Sequence, residues 1–247
     1  MRSVGVEELE HLPFVRHQVD PDLVEGAWCR GDAAVVLAGR PVAGGTMRVL
    51  TGFGPEGELA DLLGAVAERV TPPERLTVTA PADLVPTTWA LSEVRRWHWM
   101  LTRTPVVDPT PEVEDVADPD DVAALIDAAA PGSHARPGQP GIEAWLGIRE
   151  EGRLVAVGAV VRQPDGTGHV RAVTVAEQVR GRGLGRRLSA ALTRRAMAGT
   201  GVCTLGVYVD NEPALRIYRG LGYEVVHTFT SGAVTDRSIT TAAVPSR

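Results

Sequence analysis

The sequence predicts an α/β (α+β) protein built as two tandem halves, each a sheet flanked by helices. Three observations carry this. Short β-rich runs such as "DAAVVLAG", "TMRVLTG", "LVAVGAVVR" and "VRAVTVA" recur along the chain, several with period-two alternation. Between them lie segments with apolar residues at helical spacing. The order strands, loop, helix, strand occurs once on each side of "TRTPVVDPTPEVEDVADPDD" (102–121), whose four prolines and many acids read as a linker. A diverged internal duplication accounts for this, with domains at 1–108 and 109–247.

In the first half, "DAAVVLAG" and "TMRVLTG" read as strands and "ELADLLGAVAERV" (58–70) as an amphipathic helix. "RLTVTA" and "RWHWMLTRT" read as two further strands. "GFGPEG" (Gly52, Gly54, Gly57) matches the dinucleotide pattern G-x-G-x-x-G. However, Pro55 removes an N–H that would meet a pyrophosphate, and no acid ends "LTVTA" where a ribose partner belongs. A tight turn, or a disabled copy of the second-half loop, is the expectation.

In the second half a helix is predicted near 119–130, then strands near 144–149, 154–162 and 168–175. The loop "VRGRGLGRR" and a helix to about 198 follow, then a strand at 202–208, a helix at 212–220 and strands to about 243. Leu184, Leu188, Ala191 and Leu192 form the buried stripe of the helix behind the loop. The alternating glycines remove side chains that would hold a ligand off the backbone. A helix N-terminus directly behind them offers unpaired N–H groups and a positive dipole end, a combination built for a phosphate. Arg186 and Arg187 oppose that dipole, a cost that a bound polyanion offsets, whereas Arg194 and Arg195 read as solvated helix surface. Downstream, Asn211, Ala214 and Tyr218 share one stripe of a short helix. Asp210–Asn211 is placed to cap it, with Pro213 in its first turn.

Composition bounds the function. Hydrophobic residues at 44% suit a folded globular protein, and no apolar run approaches the length of a membrane span. The start "MRSVGVEELE" lacks the apolar stretch of a signal peptide, so a cytoplasmic location is expected. All 25 basic residues are arginine, which excludes a pyridoxal phosphate Schiff base and a P-loop lysine. Cys29 and Cys203, the two cysteines, suggest neither a disulfide framework nor a zinc site, and no metal is expected. The net charge of −6 and 4% aromatics argue against a nucleic-acid partner and mildly suit a cationic substrate.

"VTVAEQVRGRGLGRRL" followed by "VYVDNEPALRIYRGLGYE" resembles the GNAT superfamily of acyl-CoA-dependent N-acetyltransferases. Its loop motif [Q/R]-x-x-G-x-[G/A] is filled by Arg180, Gly183 and Gly185. Its later Asn, Ala, Tyr and "lGy" positions are filled by Asn211, Ala214, Tyr218 and Leu221-Gly222-Tyr223. The likeness covers about 112–243, and the first half resembles a degenerate copy, as in bacterial tandem-GNAT proteins.

The resemblance implies a mixed, mostly antiparallel sheet and acetyl-CoA as co-substrate. It further implies that the backbone of Arg180, Gly181, Arg182, Gly183, Leu184, Gly185 and Arg186 cradles the pyrophosphate, with Asn211 and Ala214 beside it. Val173, Thr174 and Val175 would hold the pantetheine arm, with the Val175 N–H as oxyanion donor. Tyr218 would protonate the leaving thiolate. For the base, His169 is a candidate, placed by simple alternation on the same face as Val173 and Val175; a structural hydrogen bond is the competing reading. His134 and Arg136, in "PGSHARPG", fall where the family often lines the acceptor pocket, and Ser133 beside them lacks a G-x-S-x-G elbow. A small-molecule amine acceptor is expected, with a monomer or homodimer and no membrane partner. The rival reading is a non-catalytic acyl-CoA-binding sensor or scaffold.

Overall fold

The computed structural model describes residues 1–79, 81, 89–107, 110, 112–133 and 135–236. They form two compact units, Met1–His98 with the described residues from His227 on, and Trp99–Val226. The division falls at 98/99, inside the strand Trp89–Thr102.

The first unit contains β1 (Arg2–Val4), α1 (Pro13–Gln18), β2 (Val24–Arg30), β3 (Ala33–Val42), β4 (Gly45–Phe53), α2 (Glu56–Ala67), β5 (Arg75–Val78) and the start of β6 (Trp89–Thr102). Strands β1 to β4 are antiparallel neighbours, and β4 and β5 run parallel. The chain's closing strand, Glu224–Asp236, pairs antiparallel with β5. β3 is buried without a break from Ala33 to Ala38, the pattern of a strand covered on both faces. Ala33, Val35 and Leu37 meet Leu59, Leu62, Leu63 and Val66 of α2, the i, i+3, i+4, i+7 stripe. The opposite face carries an aromatic cluster holding all three phenylalanines of the chain. Phe14 of α1 packs on Phe53 (5.9 Å between centroids) and edge-on against Phe229 (4.9 Å), with Trp97 5.0 Å from Phe229.

The second unit continues with the end of β6, then β7 (Glu114–Asp115), α3 (Pro119–Ala129), β8 (Ile142–Glu150), β9 (Arg153–Arg162), β10 (Gly168–Val175), α4 (Leu184–Ala196), β11 (Cys203–Tyr208) and α5 (Glu212–Gly220); the closing strand is β12. Its strand order is β6-β11-β10-β9-β8-β7, antiparallel from β7 to β10 and parallel between β10 and β11. The predicted mixed, mostly antiparallel sheet flanked by helices is what forms.

α4 buries Leu184, Leu188, Ala191 and Leu192, the stripe its spacing predicted. It lies close to the sheet because Gly158 and Gly168 lack side chains. A Cβ at Gly158 would stand 2.6 Å from Leu192 Cδ1, and one at Gly168 would run into the Ala196 carbonyl. Asp118 caps α3 by accepting from the Asp120 N–H at 2.9 Å, and Asn211 caps α5 by accepting from the Ala214 N–H at 3.2 Å.

The segment read as a linker is strapped down. Thr110 accepts from Arg194 (2.9 Å), Glu112 pairs with Arg187 (3.1 Å), Glu114 with Arg149 (3.0 Å) and Asp115 with Arg195 (3.7 Å). Arg195 also holds Glu143 at 3.2 Å. The reading of Arg194 and Arg195 as solvated surface is therefore corrected. The acids that make 110–115 look like a linker are the handles by which it is held.

Candidate functional site

The parallel strands β10 and β11 pair only over Gly168–Val170 against Cys203–Leu205. Beyond Val170 they part, and the cause lies in β10. Ala172 has φ +54°, and the register against β9 jumps between Arg171↔Ala159 and Thr174↔Val157. This is a β-bulge with an extra residue on β10. The Thr174 hydroxyl clips it by donating to the Ala172 carbonyl at 3.0 Å.

The bulge decides which groups face the opening. The Ala176 N–H donates to the Val155 carbonyl of β9 at 2.8 Å, so Thr174 turns its main-chain groups the same way. Val173 and Val175 turn theirs away from β9, toward the gap beside β11. Thr174, expected with the cofactor-holding groups, thus aims its backbone at β9. The side chains of Val173 and Val175 lie on the α4 face, 3.4 Å from a Cβ built on Gly158 and 3.6 Å from one on Gly185.

His169 is on the other face. Gly168 faces α4, so its neighbour points away, and the bulge breaks the alternation that would have put His169 with Val173 and Val175. The expectation of a shared face is corrected. The imidazole is buried, with Nδ1 2.9 Å from Thr204 Oγ1, itself buried. That geometry suits a structural hydrogen bond. His169→Ala is expected to destabilise the protein by about 1–3 kcal/mol, since the buried Thr204 hydroxyl loses the imidazole and keeps the weaker 3.4 Å bond to the Gly168 carbonyl. Any acidic limb in the pH–rate profile should survive; denaturant titration and kinetics between pH 5 and 8 check both.

Behind β10 the chain makes a short 3-10 turn (Glu177–Val179) and enters the glycine loop. Gly181 and Gly183 both have φ +80°, the left-handed conformation that glycine adopts freely. A Cβ at either would meet nothing. Gly183 is the N-cap of α4 and offers no side chain to its first turn, where the first intrahelical bond is Arg187 N–H to the Gly183 carbonyl (3.2 Å). The N–H groups of Leu184, Gly185 and Arg186 have no intrahelical acceptor by helix geometry. The loop's arginines serve largely as struts: Arg182 forks onto Glu150 (2.8 and 2.9 Å), and Arg180 donates to the Val175 carbonyl (3.1 Å).

Tyr218 projects from α5 into the core against α4. It is 8% exposed, its ring edge-on to Tyr223 at 5.7 Å, and its hydroxyl is hydrogen-bonded with the buried Ser189. Burial pushes the phenol up to about 12, with the Ser189 hydrogen bond opposing the shift. Beside it the Tyr223 hydroxyl donates to Cys203 Sγ and lies 2.9 Å from Thr193 Oγ1, and burial raises the Cys203 thiol to about 12. Ser189 and the bulge at Ala172 are the residues that sequence reasoning missed. Neither has a local signature, since "VRAVTVA" reads as unbroken alternation and Ser189 as one polar residue on an apolar helix. Asn211 spends its side-chain oxygen on the cap and lies exposed with Ala214 half-buried. His134 lies outside the described residues, while Arg136 pairs with Asp127 at 2.9 Å.

In the first unit the parallel strands do not part. β4 and β5 stay paired through Gly52↔Val78, and the Thr79 N–H continues onto the Gly52 carbonyl at 3.1 Å. Pro55 stands at the N-cap of α2, Glu56 and Glu58 occupy its first turn, and Glu58 accepts from the Asp32 N–H at 2.7 Å. A Cβ on Gly54 would stand 2.6 Å from Ala33 Cα. Among the described residues no group of three His, Cys, Asp or Glu could hold a metal, and no helix is long and apolar enough to cross a membrane.

The model of the acetyltransferase (GNAT) family matches residues 95–223. A mycothiol acetyltransferase from Corynebacterium jeikeium (strain K411) is 42% identical over 64 residues, 25% of this chain and only 18% of that protein's length. Among solved structures, a GNAT-family protein from Novosphingobium aromaticivorans DSM 12444 aligns with TM-score 0.56 at 20% identity, covering 94% of this chain and 96% of that one. A GCN5-related N-acetyltransferase from Kribbella flavida aligns with TM-score 0.51 at 18% identity, covering 96% and 97%. These structural likenesses bear on the fold.

Proposed function

Because the chain belongs to the acetyltransferase (GNAT) family, we propose that it transfers an acetyl group from acetyl-CoA to a primary amine of a small acceptor. The observation carrying this reading is the contrast between the two units. Where β10 and β11 part, a strand edge, a glycine loop and a helix start without a side-chain cap converge; where β4 and β5 stay closed, acids fill the turn before α2.

The residues present fit the co-substrate. Leu184, Gly185 and Arg186 offer N–H groups to its pyrophosphate, reached over the bare surfaces of Gly181 and Gly183. Val173 and Val175 present main-chain groups to a pantetheine arm lying along the open edge, as an added strand would. Acetyl-CoA supplies an activated carbonyl and a thiolate leaving group. The Val175 N–H would donate to the carbonyl oxygen as negative charge develops there. Tyr218, protonated at any working pH, fills the family's position for the donor to the departing sulfur, a role in which its hydroxyl must turn from Ser189. The amine must lose a proton to attack, and with His169 held against Thr204 we assign that step to solvent. The short match to a mycothiol acetyltransferase fits a small acceptor, and the net charge of −6 suits a cationic one.

Calorimetric titration with acetyl-CoA is expected to give one molecule bound per chain, and thiol release should follow with some member of an amine panel. A stoichiometry of two would overturn the reading of "GFGPEG" as vestigial. Binding without thiol release from any amine would favour a sensor or scaffold.

A further inference from the structure

The Arg180 guanidinium does something that a cofactor-loop residue need not do: it joins three elements. Its Nε donates to the carbonyl of Val175 at the open end of β10 (3.1 Å), one Nη pairs with Glu177 Oε1 (3.2 Å), and the other donates to the carbonyl of Ala129 (3.3 Å). Ala129 is the last residue of α3, and its carbonyl is one of the four that a helix leaves without an intrahelical donor. α3 has no basic residue in its own last turn, so the positive charge favoured there comes from outside. Arg136 supplies part of it, bonding Asp127 and the Pro131 carbonyl (3.0 Å), and Arg180 supplies the rest across the sheet edge. Immediately after Ala129 the chain leaves the helix and runs through 130–141 into β8.

We propose that Arg180 is a positioning residue that couples the glycine loop to the 130–141 segment, so that occupancy of the loop is felt at the C-terminal end of α3. The inference rests on the reading that the loop binds coenzyme A. The loop's glycines are free to adjust, whereas the guanidinium is a rigid fork with one arm on the cofactor strand and one on α3. Holding the loop in its bound form fixes the fork, and the fork then fixes the end of the helix. The coupling is reciprocal by thermodynamic linkage.

Amide hydrogen exchange of the full chain with and without saturating acetyl-CoA, read together with calorimetry, tests this. In the wild type, binding should slow exchange in 130–133 and 135–141 by about fivefold or more. In Arg180→Met, acetyl-CoA at saturation should still protect 181–186 but leave 130–141 unchanged. Glu177→Ala, which removes one arm and neither carbonyl contact, should behave as wild type. Should Arg180→Met fail to fold, Arg180→Lys serves in its place, since one ammonium cannot span both carbonyls, and the same loss is expected. Equal protection of 130–141 in wild type and variant, or none in wild type despite binding, overturns the coupling alone. Absence of acetyl-CoA binding to the wild type overturns the functional reading together with it.

Discussion

Gly185→Val is expected to lower acetyl-CoA affinity about 100-fold or more while leaving the protein folded. The Cβ itself fits, 3.6 Å from Val175 Cγ2 and 3.6 Å from Ile217 Cδ1. The two methyls beyond it add bulk in the first turn of α4, whose N–H groups the pyrophosphate would use. Losing two charge-assisted hydrogen bonds at about 1.5–3 kcal/mol each accounts for the size. Gly185 does not need a left-handed backbone, and valine in a helix is no worse than glycine, so stability should hold. Gly183→Val is the harsher variant, because its φ of +80° adds about 1–2 kcal/mol of backbone strain. Calorimetry on the folded Gly185→Val protein decides; unchanged affinity would mean that the loop is not the cofactor site.

Tyr218→Phe is expected to reduce turnover by about two orders of magnitude or more, the usual loss when a general acid is removed. Acetyl-CoA affinity should barely change, because the ring and its edge-on contact with Tyr223 persist. The variant should also lose about 1 kcal/mol of stability, since Ser189 is buried and gives up its hydroxyl partner. The pH dependence has a definite sign. With its folded pKa raised to about 12 from 10, Tyr218 keeps its proton where the unfolded chain would lose it. The native state then binds more protons than the unfolded one, and stability falls as pH climbs from 10 toward 12. That alkaline loss should be smaller in Tyr218→Phe, measured by denaturant titration at pH 8 and pH 10.5. Full turnover of the variant with a verified amine would leave Tyr218 as a packed aromatic and place the proton donor elsewhere.

Much of the second unit was legible because its signals are local. The Leu184, Leu188, Ala191, Leu192 stripe repeats within one helix, the caps at Asp118 and Asn211 act within three residues, and alternating glycines announce a loop wherever they occur. The first thirty residues were harder. α1 is six residues long, too short to show a period, and β2 carries a register break between Val24 and Gly26.

By itself, then, the sequence determined most of the second unit's helices and strands, the position of the glycine loop ahead of α4, and the family resemblance. Tertiary structure alone decided the rest: that Ala172 bulges and turns His169 away from Val173 and Val175, that the linker's acids pair with arginines of α4 and β8, that Ser189 sits against the Tyr218 hydroxyl, and that Arg180 reaches Ala129. The physical reason is one of range. Period, capping and turn chemistry are set by neighbours a few residues apart, whereas the partner of a charge or hydroxyl is set by which remote segment the packed sheet brings within 3 Å of it.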